Sequence, residues 1–225
     1  MSLAATNPFS PIMPGLNDQI VGPIVGLSAR ELCPEPLWER VAKIGFENLS
    51  AFILREKDLA EEDLLVLAQK VKKAADLAQT RLIINSSLSV AQKVQAFGLH
   101  LPFAAYVKRT VLKARDLGLM VGVSIHNWPE AQEATKAAPN YLLLGPIFPT
   151  SSKPGHPGVG LEFVKDIKKR LASPLWVIGG IKEENIQATI QAGADKVILR
   201  SSLMESADPN TLIQKLTKAL ARPED

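Results

Sequence analysis

The chain has 225 residues, of which 46 % are hydrophobic and 22 % charged, so it holds enough apolar material for one sizeable core. The net charge is +3, but basic residues are interspersed with acidic ones along the chain, which argues against a nucleic-acid-binding face. Cys33 is the single cysteine, which excludes an intrachain disulfide and a cysteine-based zinc site.

The first 19 residues contain prolines at positions 8, 11 and 14 and predict an irregular N-terminal arm. This segment lacks the basic and apolar regions of a signal peptide. No apolar run approaches the roughly 20 residues that a membrane-spanning helix needs. We therefore expect a cytoplasmic protein without a membrane partner.

Eight short apolar runs alternate with amphipathic stretches over the rest of the chain. Runs of this length without strict alternation are typical of strands that are buried on both faces. The predicted strands are Ile20–Leu27, Leu49–Leu54, Arg81–Ile84, Gly98–Leu101, Leu119–Ile125, Tyr141–Leu144, Leu175–Ile178 and Lys196–Leu199. The clearest predicted helices are 61–77, 160–171, 183–192 and 209–221.

Strand–helix alternation repeated eight times predicts an α/β fold, a single-domain (β/α)8 TIM barrel over residues 20–225. The length is close to the roughly 250 residues typical of that fold. An open, doubly wound sheet is the structural alternative.

In such a barrel the functional residues lie on the segments that follow the strands. That rule converts the strand list into a list of candidate site residues. They are Arg55, Lys57, Asn85, His100, Ser124, His126, Thr150, Ser152, Lys153, Gly179, Gly180, Ser201 and Ser202.

The last two strands are followed by Gly179-Gly180 and Ser201-Ser202, which we predict to bind a phosphate. Glycines let backbone N–H groups approach an anion closely, and a following helix N-terminus favours negative charge. The alternative is that the glycines merely form a tight turn. The sixth connection, 145–160, is long and contains Thr150, Ser152 and Lys153, which predicts a lid over the ligand rather than a surface excursion.

Two further features suggest chemistry at the same end of the barrel. If the backbone stays extended after the second strand, Arg55 and Lys57 share one face and Glu56 takes the other, so that two cations would hold a carboxylate or a phosphate. The alternative is an exposed run of charges. Imidazole suits acid–base catalysis near neutral pH, and His126, directly after the fifth strand, is the first candidate, ahead of His100 and His156.

Several motifs then resemble one family. They are ILREK at 53–57, IIN at 83–85, GLHL at 98–101, VSIH at 123–126, GPIFPTSSK at 145–153 and IGGI at 178–181. In this order they resemble the thiamine phosphate synthases and their thiazole tautomerase relatives, and the similarity runs from about residue 20 to residue 204. The resemblance independently implies a (β/α)8 barrel.

Departures from the synthase pattern favour the tautomerase branch. The resemblance implies that synthases use two aspartates to hold the Mg²⁺ that carries a substrate pyrophosphate. This chain has Ser86 directly after Asn85, and no acid near Ala105 after the fourth strand. Ile53 stands where synthases usually have glutamine, and Arg200 where relatives often have a small or apolar residue. Since Mg²⁺ normally needs carboxylates, we expect no specific metal site near Ser86 and Ala105.

The resemblance thus implies a metal-independent thiazole tautomerase acting on a phosphorylated thiazole carboxylate, with His126 as the acid–base group. No cofactor is expected, and Mg²⁺ is needed only if the chain is instead a thiamine phosphate synthase that joins hydroxymethylpyrimidine pyrophosphate to thiazole phosphate. The expected partner is a small phosphorylated thiazole or pyrimidine metabolite, with no nucleic acid and no membrane. A homo-oligomer and a non-catalytic, ligand-binding relative stay open as alternatives.

Overall fold

The computed structural model describes residues 16, 19–44, 49–106 and 108–221. The irregular arm predicted at 1–19 lies outside the described residues apart from Leu16 and Gln19, whose backbones form one hydrogen bond of 3.3 Å. Residues 222–225 at the end of the predicted barrel segment also lie outside them.

The eight strands are all parallel and close into a barrel in chain order. Closure is made by β1 and β8, where Gly26 lies opposite Leu199. The predicted (β/α)8 barrel is therefore confirmed, and the open sheet is wrong. The strands are β1 Ile24–Leu27, β2 Ala51–Leu54, β3 Arg81–Asn85, β4 Gly98–Leu101, β5 Met120–Ile125, β6 Tyr141–Leu144, β7 Leu175–Ile178 and β8 Lys196–Leu199.

Each strand is followed by a helix. The helices are α1 Leu37–Ile44, α2 Glu61–Leu77, α3 Leu88–Lys93, α4 Lys108–Asp116, α5 Trp128–Thr135, α6 Gly160–Arg170, α7 Glu183–Gln191, α8 Ser201–Glu205 and α9 Pro209–Leu220, with 3-10 turns at Arg30–Leu32 and Phe103–Ala105. The prediction for 61–77 matches α2, and the other three helices end one residue earlier than predicted. Within the described ranges, no helix is both long and apolar enough to cross a membrane.

Two predicted strands began two or more residues too early, because buried apolar residues outside a strand look like strand residues. The prediction started the first strand at Ile20, but β1 starts at Ile24, although Ile20 is only 2 % exposed. The second was placed from Leu49, which is buried, whereas β2 starts at Ala51. Burial without strand pairing therefore explains both errors.

Strand alternation places the core in two layers. Val25, Ile53, Ile83 and Trp176 belong to the cluster inside the barrel. Their strand neighbours, such as Phe52, belong to the larger cluster between barrel and helices. Because successive side chains point to opposite faces, and both faces are buried, the strands contain continuous apolar runs.

Candidate functional site

A cavity of about 750 Å³ opens at the carboxyl ends of the strands. Every candidate site residue from the sequence lines this one cavity: Arg55, Lys57, Asn85, His100, Ser124, His126, Thr150, Ser152, Lys153, Gly179, Gly180, Ser201 and Ser202. His156, on the exposed tip of the 145–160 connection, is not among its lining residues. The structure thus brings the predicted residues together, which fixes their location but not their roles.

The alternation that builds the barrel interior also brings side chains into this cavity. Two residues beyond Ile53 and Ile83 come Arg55 and Asn85, and both line it. Asn85, predicted to follow the third strand, is instead the last residue of β3. His100 and Ser124 lie within the predicted fourth and fifth strands, and all three are the inward-facing polar ends of β3, β4 and β5.

Arg55, Lys57, Lys153 and Arg200 form the cationic side of the cavity. Burial lowers the pKa of Arg55, and the nearby charge of Arg200 lowers it further. The charge of Arg55 lowers the pKa of Lys57, with smaller contributions from burial and from Lys153. The cations are therefore close enough to repel one another, and an anion bound between them would relieve that repulsion.

Arg200, whose direction the sequence left open, follows Ile198 by two positions and lines the cavity. Its Nη1 donates to Ser152 Oγ at 3.2 Å, and its Nη2 pairs with Glu31 at 2.7 Å. The same residue thus contacts the sixth connection and the segment after β1. Alternation of side chains along β8, starting from the inward-facing Ile198, would have predicted that Arg200 also points inward.

Glu56 does not line this cavity and is bound by Arg30 instead. Its carboxylate accepts hydrogen bonds from the backbone N–H of Arg30 at 3.2 Å and from Arg30 Nη1 at 3.0 Å. Arg30 also pairs with Asp58. Arg55 and Lys57 line the main cavity and Glu56 does not, but all three residues also line a cavity beside it. The run 55–57 is therefore not a simple exposed surface.

A second cavity of about 730 Å³ lies beside the first and shares Arg55, Lys57 and Arg200 with it. Its carboxylates are already engaged: Glu31 pairs with Arg200, Glu35 with Arg40 at 2.9 Å and Glu56 with Arg30. These ion pairs neutralise its acidic groups within the protein itself.

The base of the 145–160 connection is fixed on the two glycines that follow β7. The backbone N–H of Phe148 donates to Gly179 O at 3.1 Å. A Cβ on Gly179 would lie 2.6 Å from Pro146 Cβ, and one on Gly180 would lie 2.6 Å from Pro149 O. Both glycines have positive φ, +108° and +67°. The two glycines therefore hold the base of this connection as well as the turn, and residues 151–157 are exposed.

His126 lies at the rim of the cavity and is held by Glu130. Glu130 Oε2 accepts a hydrogen bond from the His126 backbone N–H at 2.8 Å and lies 2.9 Å from Nδ1. This contact leaves Nε2 as the ring nitrogen available to a ligand. Asn127 caps α5 by accepting from the Glu130 N–H at 2.9 Å.

Sequence reasoning missed Glu130 as the partner of His126. The signal was present, because Asn127 and Glu130 have the spacing of an N-cap residue and the acidic residue three positions later in a capping box. That spacing places the carboxylate back over the residues that precede the helix. Asn127 is the N-cap of α5, so that His126 lies just before the helix.

His100 is 3 % exposed at the floor of the cavity. Burial lowers its pKa to about 3, with a smaller contribution from the charge of Arg55. The ring is therefore neutral at physiological pH.

The Mg²⁺ implied by the family resemblance does not fit the side chains that are present. No Asp or Glu is among the described residues that line the cavity. Ser86 and Ala105 stand at the two expected aspartate positions, and Glu56 is committed to Arg30. Since Mg²⁺ prefers carboxylate oxygens, this donor set lacks its usual ligands.

Comparisons with known proteins agree with this architecture. Residues 24–203 match the family model described as thiamine monophosphate synthase. A thiamine-phosphate synthase from Syntrophomonas wolfei is 33 % identical over 190 residues, covering 83 % of this chain and 90 % of that protein. A putative thiamine-phosphate synthase 2 from Aquifex aeolicus is 31 % identical and covers 76 % of this chain and 91 % of that protein.

Solved structures show the same fold. Thiamine phosphate pyrophosphorylase from Pyrococcus furiosus superimposes with a TM-score of 0.76 at 23 % identity, covering 92 % of this chain and 98 % of that one. A 3-hexulose-6-phosphate synthase gives a TM-score of 0.68 at 19 % identity, covering 88 % of this chain and 99 % of that one. The sequence matches, together with the closed barrel and its cavity, show that the chain belongs to the thiamine monophosphate synthase family.

Proposed function

We propose that this chain is a metal-independent thiazole tautomerase that acts on a phosphorylated thiazole carboxylate. The observation that carries the proposal is the charge of the cavity: its described lining contains cations and two histidines but no Asp or Glu. A tautomerisation loses and gains no atoms, because a proton leaves one atom of the ligand and a proton is returned to another. An acid–base group and two anion anchors suffice for it.

The anchors are supplied by different connections of the barrel. We assign the phosphate to Gly179, Gly180, Ser201 and Ser202, with Lys153 above it, because the last two connections of such barrels are the usual phosphate site. The carboxylate is assigned to Arg55 and Lys57, where a guanidinium can bind a carboxylate through two hydrogen bonds.

His126 is the proposed acid–base residue. With Glu130 holding Nδ1, the Nε2 atom of a neutral ring takes the proton and then returns it. The pair resembles the general arrangement in which a carboxylate orients a catalytic imidazole. A single imidazole is sufficient, since the donor and acceptor atoms belong to one bound ligand.

Thiamine phosphate synthase is the second candidate, and the names of the relatives favour it. The Syntrophomonas wolfei protein has that name, and the match to this chain covers 90 % of it. Under this alternative the chain would join hydroxymethylpyrimidine pyrophosphate to thiazole phosphate. The lack of carboxylates in the described cavity lining is the observation against it.

One experiment separates these functions. The purified protein is incubated with the thiazole carboxylate phosphate, and separately with hydroxymethylpyrimidine pyrophosphate plus thiazole phosphate, each with and without Mg²⁺. Tautomerisation leaves the mass unchanged and is followed by ultraviolet absorbance, whereas formation of thiamine phosphate is followed by mass spectrometry. We expect conversion of the first substrate, unchanged by chelation. Robust Mg²⁺-dependent formation of thiamine phosphate would overturn the proposal, and binding without turnover would identify a non-catalytic relative.

A further inference from the structure

A chain of hydrogen bonds runs across the barrel interior and ends at the cavity. Tyr141 Oη lies 3.0 Å from His100 Nδ1, and His100 Nε2 lies 2.8 Å from Ser124 Oγ. Tyr141 is fully buried and stacks on Trp176 with ring centroids 3.6 Å apart. Ser124 is half-buried and lines the cavity. The chain therefore connects a buried phenol to a hydroxyl that a ligand can touch.

Gly122 makes this contact between non-adjacent strands feasible. In the sheet register it lies beside His100 on β4 and beside Tyr141 on β6. A Cβ at Gly122 would lie 2.0 Å from Tyr141 Cζ. Because this inward position has no side chain, the Tyr141 ring occupies the space and its hydroxyl reaches His100 across β5.

The tyrosine determines which ring nitrogen carries the proton. Among the described residues, His100 is the hydrogen-bond partner of the Tyr141 hydroxyl. A buried O–H without an acceptor is costly, so this hydroxyl donates and Nδ1 must accept. A neutral imidazole has one N–H, which then lies on Nε2 and donates to Ser124 Oγ. The opposite tautomer would leave the Tyr141 proton without an acceptor.

We propose that Tyr141 and His100 are positioning residues that fix Ser124 as a hydrogen-bond donor to the ligand. Since His100 donates to a lone pair of Ser124 Oγ, the serine proton is directed into the cavity. The site then selects a ligand whose ring presents an acceptor towards β5, such as an unprotonated ring nitrogen, over one that presents an N–H. This selection rests on the proposed function in one respect, that a small ligand fills the cavity.

The tautomer is tested directly by NMR. Long-range ¹H–¹⁵N correlation spectra of the ¹⁵N-labelled protein report which nitrogen of each histidine is protonated. The chain has only three histidines, so that H126Q and H156Q assign the His100 signals by elimination. We expect His100 with Nε2 protonated and Nδ1 bare between pH 8 and pH 5. Protonation on Nδ1 would overturn the proposal whatever the ligand is.

Binding measurements test the consequence for the ligand. We expect S124A to weaken binding of the thiazole carboxylate phosphate about fivefold, as for the loss of a hydrogen bond to an uncharged acceptor on the ring. H100Q can place an amide N–H against Ser124 and should stay within about threefold of wild type, whereas H100L, which has no donor, should resemble S124A. Thermal midpoints are recorded for each variant.

The positioning role and the proposed function can fail independently of each other. Equal affinity of H100L and wild type, with both proteins folded, would overturn the positioning role. If wild type binds neither the carboxylate nor thiazole phosphate, the proposed function fails, while the NMR result still decides the direction of the hydrogen bonds independently.

Discussion

Acidification should destabilise the folded protein through His100. In the folded state burial lowers the pKa of this histidine to about 3. In the unfolded chain an imidazole has a pKa of about 6.5. Between these values the unfolded state binds one proton more than the folded state at this residue, so that stability rises with pH and falls as pH decreases from about 6.5 towards 3.

The size of the effect follows from the same values. Each pH unit below the unfolded pKa costs about 1.36 kcal/mol, so at pH 5.0 the folded protein should have lost about 2 kcal/mol from His100 relative to pH 7.5. This is a measurable fraction of the roughly 5–15 kcal/mol that typically stabilises a domain. The result requires only that folded His100 stays neutral at pH 5.0.

Urea unfolding at pH 7.5 and 5.0 measures this dependence for wild type and for His100→Gln. We expect the loss of stability on acidification to be about 2 kcal/mol smaller in the variant, because glutamine does not titrate. His156→Gln, at an exposed position on the lid tip, is the matched control and should keep the wild-type dependence. Identical dependence in wild type and His100→Gln would refute the assignment of a buried neutral imidazole.

Four further predictions concern the cavity. His126→Ala should lower turnover about 10²- to 10⁴-fold in single-turnover assays, and unchanged turnover per folded molecule would remove it from the mechanism. Glu130→Gln should lower turnover only about 2- to 5-fold, since the pair is partly exposed, while Glu133→Gln on the same helix should have no effect. Lys153→Ala should raise the Kd for thiazole phosphate about 2- to 5-fold, measured by calorimetry, with turnover at saturation kept. Gly180→Ala should lower the thermal midpoint and weaken phosphate binding, because its φ is +67° and a Cβ would lie 2.6 Å from a lid carbonyl oxygen; wild-type values would contradict this account.

The barrel could be predicted from the sequence because burial on both faces gives each strand a recognisable apolar run. A strand buried on both faces needs a short apolar run, and eight such runs separated by helical patterns leave few arrangements. The first residues of the strands were harder to predict, because Ile20 and Leu49 are buried without being paired in β1 or β2. Hydrophobicity reports burial, whereas a strand boundary depends on which backbone groups pair with a neighbour.

The composition of the site was predictable, but its internal partners were not. Rules about strand ends found the residues that line the cavity, since connections after parallel strands converge at one end. They did not show that Glu130 holds His126 or that Arg200 links Ser152 to Glu31. The first contact needed the capping pattern of α5, and the second joins segments that are distant in sequence, which no local pattern specifies.

The distribution of charge in the cavity orients the ligand before any proton moves. Arg55, Lys57, Lys153 and Arg200 supply positive charge from β2, β8 and the lid. The residues of β3 to β5 that line the cavity are uncharged, and burial keeps even His100 neutral. An anionic ligand with an uncharged ring therefore gains most when its acidic groups face the cations and its ring extends towards β5. That orientation places the ring beside Ser124 and His126, so binding and proton transfer depend on different residues and can be separated by mutation.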